Sequence, residues 1–173
     1  MEEIDFASNM QPVQSVAIIG AGNMGSGIAQ KTAQEEFDVQ MVDREPQWVE
    51  RGQTIIADFL SEAVERRIFS PEHVEQIKSR ITGVVGTENT ASDTDLVIEA
   101  VFEDFDIKSA VFNTLNEVCG ENTILASNTS SLSVNELALA SGRPDRFVGL
   151  HFFYHPAKNR LVEVIPGEDS SQD

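Results

Sequence analysis

One stretch constrains the fold more than any other: SVAIIGAGNMGSGIAQKTA, from Ser15 to Ala33. Ser15–Ile19 is a short apolar, β-branched run closed by a glycine, the pattern of a strand buried on both faces of a parallel sheet. Met24–Ala33 reads as a helix opening directly on the glycines, and Phe37–Val42 as a second strand ending at Asp43. A strand, a glycine turn, a helix and a parallel strand form one crossover unit. The turn itself, Gly20-Ala21-Gly22-Asn23-Met24-Gly25, is GxGxxG. Here Gly20 permits a tight turn, Gly22 admits a pyrophosphate to the backbone, and Gly25 lets the helix lie close to the sheet. Phosphates would meet free N–H groups at the positive end of the helix.

An acid about 20 residues beyond such glycines accepts hydrogen bonds from an adenine-ribose 2′-hydroxyl, and Asp43 stands there. Its carboxylate repels a 2′-phosphate, which favours NAD over NADP. Arg44 points the other way, because an arginine at this place can accommodate that phosphate.

Beyond Asp43 the alternation is interrupted. Glu45–Glu65 carries Ile55, Ile56, Phe59, Leu60, Ala63 and Val64 at helical spacing, and Ser70-Pro71 caps a second helix running to Ser79. This helical hairpin is expected to project from one end of the sheet and to help bind a ligand. Strands are expected at Arg80–Val84, Asp95–Ile98, Thr123–Ala126, Phe147–Leu150 and Leu161–Ile165, with helices at Ser133–Ala140 and at Asp106–Cys119, whose apolar face carries Ile107, Val111, Phe112, Leu115 and Val118. The sum is an α/β fold, a Rossmann-type doubly wound, mostly parallel sheet with a helical hairpin insertion. Residues 1–14 read as a flexible leader, 15–167 as the NAD-binding domain, and 168–173 as the stub of a linker.

The charge balance is 12 basic against 29 acidic residues, a net −17. A field of that sign repels nucleic acid and anionic membrane surfaces, so neither is an expected partner. No apolar run approaches the length of a membrane span, and the acidic N-terminus lacks the features of a secretory signal. The lone Cys119 cannot form an intramolecular disulfide or a metal cluster, which fits a reducing cytoplasm.

Four segments occur in order: VAIIGAGNMGSGIAQ, TDLVIEAVFED, ILASNTSSLSV and RFVGLHFFYHPAKNRLVEVI. Together they resemble the NAD-binding domain of the L-3-hydroxyacyl-CoA dehydrogenase family. The resemblance implies NAD-dependent oxidation of an L-3-hydroxyacyl-CoA to the 3-ketoacyl-CoA. His151 matches the catalytic histidine, Glu163 its acidic partner and Ser130 the serine that contacts substrate. Asn128 matches the asparagine beside the nicotinamide ribose. Ala100, Glu103 and Lys108 match positions lining the ribose and nicotinamide side of the cofactor, and the hairpin matches the element that holds acyl-CoA.

Two departures stand out. Tyr154 replaces an asparagine that usually supports the nicotinamide, although the distance from His151 to Glu163 is unchanged. The sequence also stops where that family's helical C-terminal domain would begin, a domain that completes the acyl pocket and forms a homodimer. The alternatives are an NAD-binding module without turnover of its own, and a relative acting on a non-CoA hydroxy acid.

Overall fold

The computed structural model describes residues 12–171. Seven strands form one sheet: β1 (Ser15–Ile19), β2 (Asp38–Asp43), β3 (Ile81–Val85), β4 (Leu96–Glu99), β5 (Ile124–Ser127), β6 (Phe147–Phe152) and β7 (Val162–Pro166). Their order is β3-β2-β1-β4-β5-β6-β7. All neighbours pair in parallel except β6 and β7, which are antiparallel. Helices α1 (Asn23–Gln34), α2 (Pro46–Glu65), α3 (Pro71–Ser79), α4 (Phe105–Val118) and α5 (Val134–Ala140) cover the two faces. The chain winds outward in both directions from β1, so the winding reverses between β1 and β4. Ligands of open α/β sheets bind at the carboxyl ends of the strands beside such a reversal.

Successive strand residues face opposite sides of the sheet, and both sides are covered. Val16 and Ile18 join Met41 and Ile98 beneath α1, α2 and α3. Ala17 and Ile19 join Val42, Val97 and Leu125 beneath α4 and α5. That is why β1 reads as a continuous apolar run and not as an alternation.

Three expectations are revised. The hairpin does not stand free of the sheet: Ile56 and Leu60 of α2 and Val74 and Ile77 of α3 are buried in the same core as α1, and of its large apolar residues only Ile68, at the tip, is well exposed. The inward face of α4 is Lys108, Phe112 and Leu115, whereas Ile107, expected inside, is exposed. The expected linker from 168 is docked through 171. Ser170 Oγ donates to the Phe147 carbonyl (2.6 Å), the Glu168 N–H to Asn135 Oδ1 (2.9 Å), and the Ser171 N–H to the Asp145 carbonyl (2.9 Å). Residues 172–173 lie outside the described residues.

The same holds for residues 1–11 of the expected leader. By Gln14 the chain is already anchored, its N–H donating to Asp95 Oδ2 at 2.9 Å. Among the described residues, no helix is long and apolar enough to cross a membrane.

Candidate active site

The glycine turn is shaped by its surroundings. Gly20 has φ +104°, and a Cβ there would sit 2.7 Å from the Ala100 carbonyl oxygen, so Ala100 lies directly behind the turn. A Cβ on Gly25 would fall 1.7 Å from the Gly20 carbonyl oxygen. Gly22 is different: no atom lies within 4 Å of the position its Cβ would take.

Gly22 is also the N-cap of α1, and no side chain caps the helix there. The first N–H groups of a helix have no partner within it, so those of Asn23, Met24 and Gly25 are available to an anion. Open space before an uncapped helix end is the cradle a pyrophosphate requires. The donor set and the space therefore fit a dinucleotide.

Asp43 buttresses this turn from the end of β2. Its Oδ2 accepts the Ala21 N–H and its Oδ1 the Arg44 N–H, both at 2.8 Å. A cleft of about 260 Å³ lined by Arg44, Gly86, Thr87 and Val111 opens alongside. A larger hollow of about 310 Å³ lies at the opposite, amino-terminal ends of β1 and β2, lined by Ser15, Asp38 and Arg80. It is remote from the glycine turn and from every expected site residue.

On the other side of the reversal, loop 128–131 follows β5. The Asn128 N–H donates to the Glu99 carbonyl, and its Oδ1 accepts the Phe152 N–H, both at 2.8 Å. One side chain thus ties the end of β5 to the end of β6 and keeps its amide N–H₂ for another partner. The next residues are held by Glu103. Its Oε1 accepts Thr129 Oγ1 (2.5 Å), the Ser130 N–H (2.9 Å), and the Ser131 N–H and Oγ (3.1 and 3.0 Å).

Burial pushes the Glu103 carboxyl up. The Thr129 hydroxyl, the Lys108 charge and the Ser130 and Ser131 donors outweigh that and bring it down to about 2. Free in an unfolded chain, the carboxyl would take its proton near 4.5. Between those values the unfolded state binds the extra proton, so stability falls as pH falls from about 4.5 to about 2. Asp95, held low by the Ser15 and Gln14 N–H groups, acts in the same direction. Acid unfolding of Glu103→Gln, followed by circular dichroism, is expected to be shallower than wild type across that window. Identical curves would show that Glu103 does not anchor the loop.

The β6–β7 ladder sets His151 opposite Glu163. Their Nδ1 and Oε2 are 2.8 Å apart. The histidine is mostly buried and the glutamate half-exposed. With Nδ1 held by the carboxylate, Nε2 is the nitrogen free to exchange a proton with a ligand. Tyr154 is 74% exposed, so it does not replace the support an asparagine would give from inside. The loop is instead fastened by His155, which stacks on Phe59 of α2 with ring centroids 4.4 Å apart.

Sequence comparison places this geometry. The profile of the family described as "3-hydroxyacyl-CoA dehydrogenase, NAD binding domain" matches residues 15–173. The chain belongs to the 3-hydroxyacyl-CoA dehydrogenase family. A probable 3-hydroxybutyryl-CoA dehydrogenase of Bacillus subtilis is 38% identical over 93% of the chain and 56% of its own length. The crystal structure of the (S)-3-hydroxybutyryl-CoA dehydrogenase PaaH1 from Ralstonia eutropha superposes with a TM-score of 0.89 at 37% identity, covering 93% of this chain and 56% of that one. That of M. tuberculosis FadB2 superposes at 0.90 and 32% identity, covering 94% and 57%. The chain spans about half the length of the relatives it matches.

In this member of the 3-hydroxyacyl-CoA dehydrogenase family, the glycine turn and Asp43 lie at the ends of β1 and β2, Ala100 follows β4 directly behind the turn, and Asn128, Ser130 and His151 lie at the ends of β5 and β6 across the reversal. Lys108 is the expected residue that departs most. It is buried, and its ammonium is engaged by Glu99 (2.6 Å) and Glu103 (3.3 Å) and not presented to the cleft. Glu99 itself was not foreseen. Its sequence signal is a carboxylate closing LVIE, a strand otherwise apolar and buried on both faces.

Proposed function

We propose that this chain carries the cofactor-binding and proton-transfer machinery for NAD-dependent oxidation of L-3-hydroxyacyl-CoA to 3-ketoacyl-CoA. The observation that carries the reading is the His151–Glu163 pair, 2.8 Å apart and one strand from the loop that bears Ser130. The uncapped start of α1 and Gly22 hold the pyrophosphate of NAD, and Asp43 holds the adenine ribose. NAD, when bound, supplies the acceptor for the hydride leaving C3.

Ser130 donates a hydrogen bond to the C3 oxygen and fixes its direction. His151 removes the hydroxyl proton through Nε2, and Glu163 holds the ring in one tautomer and stabilises its charged form. Asn128 keeps β5 and β6, and so Ser130 and His151, at a fixed separation. The assay is NADH consumption with acetoacetyl-CoA, a short 3-ketoacyl-CoA. Oxidation of NADH dependent on the thioester is expected, and none with the free 3-keto acid. Equal rates with both would replace the acyl-CoA substrate by a non-CoA one.

A second reading is favoured by the coverage of the relatives, which carry sequence outside the matched region. Such sequence would close the open side of the substrate site and supply a dimer interface, leaving these residues to bind NAD without turnover of their own. Under that reading the chain binds NADH but consumes it only when fused to the unmatched part of a relative.

Cofactor choice follows from Asp43. Asp43→Ala removes both the ribose acceptor and the Ala21 anchor. NADH binding is expected to weaken by about 1–3 kcal/mol, or about 5- to 150-fold. Calorimetry checks this, and NADPH binding to wild type as tightly as NADH would refute the role given to Asp43.

A further inference from the structure

Glu99 has no part in the chemistry above, yet it is completely buried, as is Lys108. A buried ion pair is weak evidence for stability, since well-packed apolar residues often serve as well or better. The wider pattern of contacts is more informative.

Lys108 Nζ lies 2.6 Å from Glu99 Oε1 and 3.3 Å from Glu103 Oε2. The other Glu99 oxygen accepts Ser127 Oγ at 2.6 Å. Ser127 Oγ in turn accepts the Thr129 N–H at 3.2 Å, and Thr129 Oγ1 donates to Glu103 Oε1 at 2.5 Å. Five residues therefore close a ring, one of its links made by the Thr129 backbone N–H: Lys108, Glu99, Ser127, Thr129 and Glu103. Every link has one donor and one acceptor.

The ring joins the ends of β4 and β5 to the first turn of α4. Its last member is the carboxylate that receives the Ser130 and Ser131 N–H groups.

We propose that Glu99 is a positioning residue for the reaction: through Lys108 on one arm and Ser127 on the other, it fixes loop 128–131 and so the place of Ser130. The inference rests on the functional reading in that Ser130 meets the substrate oxygen. An apolar pair at 99 and 108 could fill the same space, but it could neither hold Glu103 nor orient the Ser127 hydroxyl toward Thr129.

The test separates positioning from packing. The double variant Glu99→Gln/Lys108→Met keeps the volume and removes both buried charges together. Its melting temperature is expected to stay near that of wild type. Hydrogen exchange at the Thr129 and Ser131 amides is expected to quicken by about tenfold, and kcat with acetoacetyl-CoA to fall about 10- to 100-fold, as small misplacements of an oriented group do. The KM for NADH should move less than kcat, because Gly22 and the Asp43 contact to the glycine turn keep their places.

A double variant with wild-type exchange and kcat would overturn the proposal. Should it fail to fold, Thr129→Val opens the ring at its loop end while leaving the buried pair intact. It is expected to quicken Ser131 exchange and lower kcat in the same way, and no change in either would equally overturn the proposal. If wild type itself does not consume NADH, the functional reading fails, and amide exchange still decides whether Glu99 holds the loop.

Discussion

Gly25→Ala is expected to leave no folded protein at ordinary temperature, whereas Gly22→Ala folds normally and loses NADH. The new methyl at residue 25 would lie 1.7 Å from a backbone oxygen of the turn, and backbone cannot rotate away as a flexible side chain can. Relief requires moving α1 off β1, where Ile18 and Ile28 are fully buried. Inserting a methylene into a core that can adjust costs about 1–3 kcal/mol. This site cannot adjust locally, and a domain has only about 5–15 kcal/mol in total.

At residue 22 the same methyl meets nothing, and φ is −73°, which alanine adopts freely. The unfolded-chain entropy it removes, about 0.4–1 kcal/mol, offsets the poorer fit of alanine at an N-cap, so stability is expected to stay near that of wild type. The methyl does occupy the approach to the first turn of α1. Thermal melts and NADH titration of the two variants are the check. A Gly22→Ala protein that bound NADH as wild type does would mean that the pyrophosphate lies elsewhere.

His151→Ala is expected to reduce turnover by about 10²- to 10⁴-fold, the usual loss on removing a general base. NADH affinity should be nearly unchanged, since the glycine turn and Asp43 lie on the far side of β4 and β5. Glu163→Gln should lose less. An amide at that position can still bond Nδ1, but it no longer stabilises the charged ring. Both are read as NADH oxidation with acetoacetyl-CoA at saturating cofactor. Turnover by His151→Ala at the wild-type rate would remove the histidine from the mechanism.

The unit from Ser15 to Asp43 was legible because its punctuation is local: a β-branched run, three spaced glycines and a terminal acid. The pairing of His151 with Glu163 came from the family resemblance; a lone His at a strand end and a lone Glu in the next strand carry no such signal by themselves. What escaped lies at the carboxyl ends of the strands. Asp43, Glu99 and Ser127 were placed just past the apolar runs, yet each is the last paired residue of its strand. Hydrophobic patterning ends a strand at the first polar residue. Glu99 and Ser127 stay in the buried ladder because they satisfy one another and Lys108, which is a tertiary fact.

The same cause misplaced the face of α4. Patterning put Ile107 on the apolar face, whereas the ion pair with Glu99 draws Lys108 inward and leaves Ile107 exposed. The tail at 168–171 reads as polar linker because its partners, Asn135, Asp145 and Phe147, are distant in sequence.

On the proposed function, this chain passes a hydride between NAD and C3 of a 3-hydroxyacyl thioester, with His151 handling the proton. The most direct measurement uses NADH carrying deuterium at the transferred position, with acetoacetyl-CoA as acceptor and mass spectrometry of the product. Wild type is expected to yield 3-hydroxybutyryl-CoA with one deuterium, placed at C3, and His151→Ala to yield almost none in the same time. A product without deuterium at C3, or equal labelling by the two proteins, would contradict the account.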